Sequence, residues 1–355
     1  MNKKTWLIIA FLALAMPVPC LQAADRELKT FLANAAKADQ QNDFAAAIEN
    51  YQKALDKGYR PGKMHIALGR LYLAAGNYQE AEKHILKALD QKLNKSDQLS
   101  AREMLGKISY YRQDYAQAMG YFKDCIELKR NYEPAYLGLA KIYKDMKMYA
   151  EAKQELDHIS KSKKLRTEYN LTSGLLYRDW GLYQKAHQAL LQVISHDPTN
   201  TEAHLALADI YYHKKEYGQA LGELKYVASL QPQGRVFRYM ALCLFYLREK
   251  EKAIATLLEA IKLEPNEYLN YAIGGLIYSD FADWEIAMEQ FSKALEMNSQ
   301  SALVLTGRGW CARQLHHDQD AIADFQQVLE LKNVSWMQDL AQKNIAILTS
   351  NKGDR

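Results

Sequence analysis

The sequence contains few of the residues that interrupt a chain, cross-link it or bind metals. Its 355 residues include four cysteines, seven prolines and 17 glycines. Three of the cysteines, Cys125, Cys243 and Cys311, lie beyond the first 23 residues. They are far apart in the sequence and odd in number, which indicates neither a disulfide framework nor a metal cluster, and we interpret them as small buried hydrophobic residues. So little proline and glycine excludes a disordered or linker-rich protein.

Signatures of catalysis are also missing from the sequence. It contains no Walker loop, no dinucleotide-binding glycine fingerprint, no G-x-S-x-G and no H-E-x-x-H. His316-His317-Asp318 falls in a predicted turn, where polar residues are expected, and a zinc site needs three or four converging ligands. We therefore predict a protein that is not an enzyme and uses no metal or cofactor.

The charge is close to balanced. The chain has 46 basic and 42 acidic residues, and residues 1–23 carry only Lys3 and Lys4 among them. Removal of that segment would leave 44 basic and 42 acidic residues. A nearly neutral protein is not expected to bind nucleic acid through a general electrostatic footprint.

Residues 1–23 have the pattern of a secretory signal peptide. Lys3 and Lys4 precede an apolar run from Trp6 to Met16, and small residues follow at Ala23-Ala24. Leu21-Gln22-Ala23 is the expected cleavage signal. The Met-Asn-Lys-Lys start is typical of bacteria, so we expect an exported, periplasmic protein.

Two alternatives for this segment stay open. The run could be a retained membrane anchor, although it is short for spanning a bilayer. Cys20 could be lipidated after cleavage, which would attach the protein to the outer membrane, although Pro19 fits a lipoprotein signal poorly. No other apolar stretch approaches spanning length, so no integral membrane span is expected after cleavage.

The rest of the chain is organised by a repeat of about 34 residues. Alanine recurs in one column, glycine or alanine recurs twelve residues earlier, and a bulky apolar residue recurs four residues later. The alanine column is Ala47, Ala81, Ala118, Ala152, Ala186, Ala220, Ala253, Ala287 and Ala321. Small residues let two antiparallel helices cross closely, and the large residue fills the adjacent groove. Such pairs must stack on their neighbours to bury a continuous core.

These columns resemble the tetratricopeptide repeat family. The resemblance covers roughly Leu28 to Ser335 and implies an all-α fold, a right-handed α-solenoid of nine helix–turn–helix repeats. We place a repeat array at 24–335 and a capping helix and tail at 336–355. The repeats lie near 28–61, 62–98, 99–132, 133–166, 167–200, 201–233, 234–267, 268–301 and 302–335. Extra residues around Lys92–Gln98 are expected to lengthen one junction, and Arg308 stands in a usually apolar position.

In that family the first helix of each repeat lines an inner, concave groove. Mapping those positions onto this chain predicts a partner-binding surface with a basic first half and an aromatic and arginine-rich second half. Its residues are Arg70, Lys107, Tyr111, Lys141, Lys144, Arg178, Tyr212, Arg238, Phe245, Tyr246, Trp310 and Arg313. Some members of the family hold the terminal carboxylate of a peptide with lysine and asparagine side chains from two adjacent repeats. No repeat of this chain has that lysine and asparagine at the corresponding positions, so this type of binding site is not predicted.

The resemblance implies a scaffold that binds other proteins. Exposed aromatic and arginine side chains are typical of binding hot spots, and spaced cations suit an extended acidic peptide. With export, this predicts an adaptor in assembly of an envelope machine such as a pilus, a secretion or polysaccharide-export system, or the cell wall. Two alternatives stay open: the groove binds an acidic polysaccharide or peptidoglycan strand, or its charges serve solubility alone.

Overall fold

The computed structural model of the chain describes residues 18–332 and 334–350, with side chains from Arg26 onward. Within them it contains nineteen helices and no strand. The expected all-α repeat fold is therefore confirmed. The signal segment at 1–23 and the tail at 351–355 lie wholly or mostly outside the described residues.

The chain divides into two compact units, the first ending at Asp179 and the second beginning at Trp180. The first holds α1 (Val18–Gln40), α2 (Phe44–Asp56), α3 (Pro61–Ala74), α4 (Tyr78–Leu89), α5 (Lys95–Tyr111), α6 (Tyr115–Leu128), α7 (Glu133–Asp145), α8 (Tyr149–Asp157) and α9 (Arg166–Asp179). The second holds α10 (Tyr183–His196), α11 (Thr201–His213), α12 (Tyr217–Leu230), α13 (Gly234–Tyr246), α14 (Lys250–Leu263), α15 (Tyr268–Asp280), α16 (Trp284–Met297), α17 (Ala302–Gln314), α18 (Asp318–Glu330) and α19 (Ser335–Ser350).

The division lies inside the predicted fifth repeat, between α9 and α10. The 34-residue spacing runs through this point without a change, so periodicity offers no sign of it.

The repeat register is correct in the core. All nine alanines of the anchor column have 0% of their surface exposed. The bulky column four residues later is buried as well, from Ile85 and Leu190 at 0% to Phe291 at 5%, with the half-buried Tyr51 as its exception. A column of small residues beside a column of large ones is what close helix crossing requires.

Two of the three phenylalanines in the bulky column, Phe122 and Phe291, are matched by glycine on both flanking helices. A β-carbon at Gly106 would lie 2.9 Å from the ring of Phe122, and one at Gly138 would overlap the same ring. The arrangement recurs in the second unit, where β-carbons at Gly275 and Gly307 would lie 2.5 and 2.7 Å from the ring of Phe291. These glycines are therefore required by packing rather than by backbone conformation, because a methyl group has no room.

The turn inside each repeat uses a left-handed residue. It stands five residues before the anchor alanine in all nine repeats: Asn42, Gly76, Gln113, Lys147, Gly181, Lys215, Arg248, Ala282 and His316. In at least eight of the repeats, the residue after it donates its N–H back to a carbonyl five residues earlier, as in Asn77 N to Tyr72 O at 2.8 Å. This pattern closes the first helix of the pair in a Schellman motif. Asp43, Asn77 and Asp114 then cap the second helix through their side chains.

The extra residues around Lys92–Gln98 extend a helix more than a junction. α5 has 17 residues, against 14 in α3 and 13 in α7. Asn94 caps it by accepting a hydrogen bond from Asp97 N at 2.9 Å. A good N-cap at this point lets helix formation begin within the insertion, so the expected longer junction becomes an added helical turn.

Arg308, which stands in a usually apolar position, is paired with a buried carboxylate. Arg308 donates two hydrogen bonds to the carboxylate of Asp324, at 2.9 and 2.6 Å, and Asp324 is 3% exposed. The arginine in an apolar position is thus paired.

Cys125, Cys243 and Cys311 are free and buried, as expected. Burial raises the pKa of their thiols to about 12, about 12 and about 11, respectively.

Candidate functional site

The first unit contains a groove of about 630 Å³ formed by α5, α7 and the loops that precede α7 and α9. Its apolar lining includes Phe122, Pro134, Leu137, Gly138 and Leu165. Its polar lining comprises the tyrosines Tyr110, Tyr111 and Tyr132, the lysines Lys107, Lys129, Lys141 and Lys164, the carboxylates Glu103, Glu133 and Glu168, and Asn131. A concave site with aromatic and charged groups is suited to binding a side chain of a partner.

Two of the tyrosines are held by carboxylates. The hydroxyl of Tyr110 donates to Asp145 at 2.6 Å, and that of Tyr132 donates to Glu103. Burial first, and these hydrogen bonds next, raise the pKa of both phenols. They therefore stay neutral and fixed, whereas Tyr111 is 56% exposed and stacks on Tyr78 with ring centroids 5.4 Å apart.

Three lysines of the groove differ in whether a carboxylate neutralises them. Lys107 forms an ion pair with Glu103 one helical turn away. Lys129 and Lys164 come from loops, are exposed, and form no ion pair with any described residue. They are the cations most accessible to an acidic partner, because an exposed ammonium without a neighbouring carboxylate keeps its full charge for a ligand.

Three predicted groove residues line this cavity and three others do not. Lys107, Tyr111 and Lys141 lie in its wall. Arg70 instead forms a two-bond pair with Asp39, Lys144 pairs with Asp145 at 2.9 Å, and Arg178 pairs with Asp179 at 2.6 Å. The basic first half of the predicted surface is thus partly neutralised by acids of the same unit.

The second unit gathers predicted aromatics into a cluster. Tyr246, 43% exposed, stacks on Tyr217 with centroids 4.6 Å apart and planes at 11°. Tyr212 meets both rings edge-on at 5.6 and 5.8 Å. Burial first, and then a hydrogen bond with Tyr246, raise the pKa of Tyr212. Tyr217 is a member that the mapping missed, because it begins a second helix of a repeat rather than lying in a first helix.

Two predicted surface residues are buried, which corrects the expectation that a partner reaches them. Arg238 is 8% exposed and donates to Asn270 Oδ1 at 2.8 Å, with Glu264 3.4 Å away. Phe245 is 6% exposed and packs in the core of the second unit. An arginine in the interior requires such partners, and here the following helix pair supplies them.

Near the C-terminus, Trp310 and Arg313 of the predicted partner-binding surface have different roles. Trp310 is 41% exposed and meets Trp284 edge-on at 5.0 Å. Arg313 donates to Asn344 Oδ1 in α19 at 2.7 Å, so it attaches the last helix to the array.

The described residues offer no set of three side chains able to hold a metal ion, and His317 serves as the N-cap position of α18. Among the described helices none combines the length and apolar character needed to cross a bilayer.

Among the groove residues, the mapping missed Lys129, Tyr132 and Lys164 and the carboxylates Glu103 and Glu133. Family positions lie on first helices, whereas Lys129, Tyr132 and Lys164 belong to the loops between repeats. The basic sequences K-R-N-Y at 129–132 and K-S-K-K at 161–164 are the signal that could have revealed them.

Comparison with known proteins gives one consistent result. Sequence models described as tetratricopeptide repeat match residues 32–97 and 67–135, 110–172 and 181–243, and 240–267. No curated protein matches the chain.

Solved structures with the same fold share little sequence with the chain. A tetratricopeptide repeat protein from Parabacteroides merdae is 17% identical with a TM-score of 0.51, covering 67% of this chain and 94% of that one. The C-terminal part of a repeat protein from Cytophaga hutchinsonii is 17% identical with a TM-score of 0.53, covering 68% and 99%. PilF of Pseudomonas aeruginosa is 18% identical with a TM-score of 0.52, covering 59% and 96%.

Proposed function

Because the chain belongs to the tetratricopeptide repeat family, we propose that it is a non-enzymatic scaffold that binds a partner protein in the groove of its first unit. The observation that carries the proposal is a groove lined by tyrosines and apolar side chains, with two unpaired lysines, Lys129 and Lys164, at its loops. Aromatic rings surrounded by polar groups are where protein interfaces concentrate their binding energy.

The groove chemistry favours an extended acidic segment of a protein over a polyanionic strand. An apolar or aromatic side chain of the partner would enter beside Leu137 and Leu165, and a neighbouring carboxylate would approach Lys129 and Lys164. Three carboxylates, Glu103, Glu133 and Glu168, line the same groove. They would repel a strand that carries a negative charge on every residue, because like charges across an interface cost several kcal/mol.

We place this scaffold in the bacterial cell envelope, where it would serve the assembly of a multi-protein machine. The support is the N-terminal pattern of Lys3, Lys4 and the apolar run from Trp6 to Met16. Fractionation of producing cells, with N-terminal sequencing of the accumulated protein, tests the location. Recovery of the chain in the cytoplasm with Met1 retained would contradict export.

Photocrosslinking in the producing cell tests the binding groove. A photoreactive phenylalanine derivative at Tyr111, which is 56% exposed in the groove, is expected to give one dominant protein adduct. The same probe at Tyr239, which is 46% exposed in α13, is the exposure-matched control and is expected not to give that adduct. Equal adducts at both positions, or saccharide adducts alone, would contradict the proposal.

Charge reversal tests the two loop lysines. In the Tyr111 probe protein, Lys129→Glu with Lys164→Glu is expected to reduce the adduct at least tenfold, since the acidic partner would meet two like charges. Lys123→Glu with Lys147→Glu changes the net charge equally at two exposed positions outside the groove lining. If both pairs of substitutions reduce the adduct to the same extent, the groove lysines have no specific part in binding.

A further inference from the structure

The loops that join successive repeats in the first unit are strongly basic. These loops are 57–60, 90–94, 129–132 and 158–165. Their charged residues are the cations Lys57, Arg60, Lys92, Lys129, Arg130, Lys161, Lys163 and Lys164 and the single acid Asp90. We name these eight cations the basic edge.

The corresponding loops of the second unit have the opposite character. They are 197–200, 231–233, 264–267, 298–301 and 331–334. Among them they carry one cation, Lys332, and three acids, Asp197, Glu264 and Glu267. The basic edge is therefore a property of the first unit and not a general feature of loops between repeats, which need only be polar and able to turn.

The loops of the basic edge lie side by side. The start of α3, which follows the first loop, meets the second, since a β-carbon at Gly62 would lie 2.8 Å from Leu93 and 3.2 Å from Gln91. Ser162 in the fourth loop donates to Glu133, the residue that follows the third loop, at 2.8 Å. Successive junctions in a stack of antiparallel helix pairs recur on the same side, so the cations form a row.

Most of these cations are not neutralised. Seven of the eight, all but Lys57, form no ion pair with any described residue, and all eight are exposed. By contrast the apolar residues of the same loops, Tyr59, Leu93, Tyr132 and Leu165, are half-buried against the array. The edge therefore presents charge without an insertable apolar side chain, which suits contact with a charged surface at the level of its polar groups.

The N-terminus of the described chain leaves the first unit at this edge. Lys57 in the first loop forms an ion pair with Glu27 of α1 at 3.2 Å. α1 begins nine residues earlier, at Val18, and so projects beyond the loop. In the sequence the apolar run from Trp6 to Met16 comes directly before this helix.

We infer that the basic edge of the first unit docks on a bilayer that contains anionic phospholipid. Anionic headgroups create a negative surface potential that attracts clustered lysine and arginine, and the attraction falls off within a Debye length. A row of loops meets a flat surface more readily than a polymer strand does, because the cations are spread over four repeats rather than along one groove. Lys129 and Lys164 also line the protein-binding groove, and the other six cations of the basic edge support the inference without them.

Vesicle flotation of the full chain tests the inference. The edge variant carries Lys92→Gln, Arg130→Gln, Lys161→Gln and Lys163→Gln, four exposed positions that do not line the groove. The control variant carries Lys123→Gln, Lys147→Gln, Lys225→Gln and Lys343→Gln, which removes the same charge from exposed positions elsewhere. On vesicles with about one-third phosphatidylglycerol, the edge variant is expected to bind on the order of a hundredfold more weakly than wild type, and the control nearly as well as wild type.

A footprint makes the result independent of any affinity contributed by the N-terminal run. Acetylation of lysines on the vesicle-bound wild type, read by mass spectrometry, is expected to slow at Lys92, Lys161 and Lys163 but not at Lys147 and Lys225. The protection should be absent on phosphatidylcholine vesicles and should diminish in 1 M salt, where the Debye length falls to about 3 Å.

Three results would overturn the inference. Equal weakening by both sets of substitutions would show that net charge alone matters. Uniform or absent protection would show that another face meets the bilayer. Edge-dependent binding to polygalacturonate, with none to vesicles, would assign the edge to an acidic polymer. None of these results bears on the Tyr111 adduct, so failure here and failure of the groove proposal are distinguishable.

Discussion

The ring of Phe122 occupies the space that β-carbons on two helices would need. A β-carbon at Gly106 would lie 2.9 Å from the ring, and one at Gly138, in the next repeat, would overlap it. The ring is 2% exposed. Phe122 and Gly138 are therefore a matched pair across a repeat boundary.

We expect Gly138→Ala to destabilise the first unit by about 1–3 kcal/mol, since overpacking forces a buried ring or the backbone to shift. Urea unfolding measures the change. Gly120→Ala in α6 is the control, because nothing lies within 4 Å of its β-carbon and alanine favours a helix by about 0.5–1 kcal/mol. Phe122→Leu in the Gly138→Ala background should recover part of the loss, and additivity of the two changes would refute the pairing.

Ala282 offers a site for stabilisation. Its φ is +63° in the turn between α15 and α16, a conformation that costs a residue with a β-carbon roughly 1–2 kcal/mol. We expect Ala282→Gly to stabilise the second unit by up to about 1 kcal/mol, the greater freedom of the unfolded chain offsetting part of the gain. Differential scanning calorimetry should show a higher Tm. The reverse change, Gly76→Ala at φ +75°, should lower stability, and an unchanged Tm in both variants would contradict the account.

The hydrogen-bonded pair of His65 and His84 is expected to make the fold less stable in acid. Their Nδ1 atoms are 2.9 Å apart, so one ring donates and the other accepts while both are neutral. Burial lowers the pKa of both imidazoles, with Lys87 adding to the effect at His65 and His65 adding to it at His84. A folded-state pKa below the ordinary value of about 6.5 stabilises the fold fully above pH 6.5, and this contribution is lost as the pH falls below it.

Unfolding in urea at pH 7.5 and 5.5 measures this dependence. The double variant His65→Gln and His84→Gln is expected to lose less stability between the two pH values than the wild type does. His196→Gln, at the exposed end of α10, is the control. A double variant with the same acid sensitivity as wild type would exclude the pair as its source.

Arg238 is expected to be important for stability and not for partner binding. Arg238→Met would keep much of the side-chain volume but leave Asn270 and Glu264 without their donor, at a cost of about 1–3 kcal/mol. Arg235→Met, at an exposed position of the same helix, should change the free energy of unfolding by no more than about 0.5 kcal/mol. A stable Arg238→Met protein that no longer forms the Tyr111 adduct would reverse this assignment.

The fold could be predicted because the same packing requirement recurs in every repeat. A small residue such as Ala186 must recur wherever two helices cross, so spacing alone identified the helix pairs and the buried column. The left-handed turns were not predicted, because only Asn42, Gly76 and Gly181 of the nine are residue types that favour this conformation. At the other six positions the packing of the helices on either side requires it.

The candidate site was predicted only in part. Lys107, Tyr111 and Lys141 lie in the groove because they occupy family positions on first helices. Arg238 occupies such a position too, but whether it faces a partner or Asn270 depends on a residue 32 positions away. The lysines Lys129 and Lys164 lie in loops and follow no helical periodicity, so their position at the groove is visible only in the folded structure.

The matched glycine and phenylalanine limit how this gene could gain or lose repeats. Excision of residues 133–166 would preserve the 34-residue period, yet it would bring Thr172 to the place of Gly138, against the ring of Phe122. The helix that carries Phe122 must therefore be inherited together with the helix of the following repeat that carries Gly138. Recombination between the two helices of a repeat preserves such a pair, whereas recombination at the loops between repeats separates it, so these two repeats cannot be reordered without losing the match.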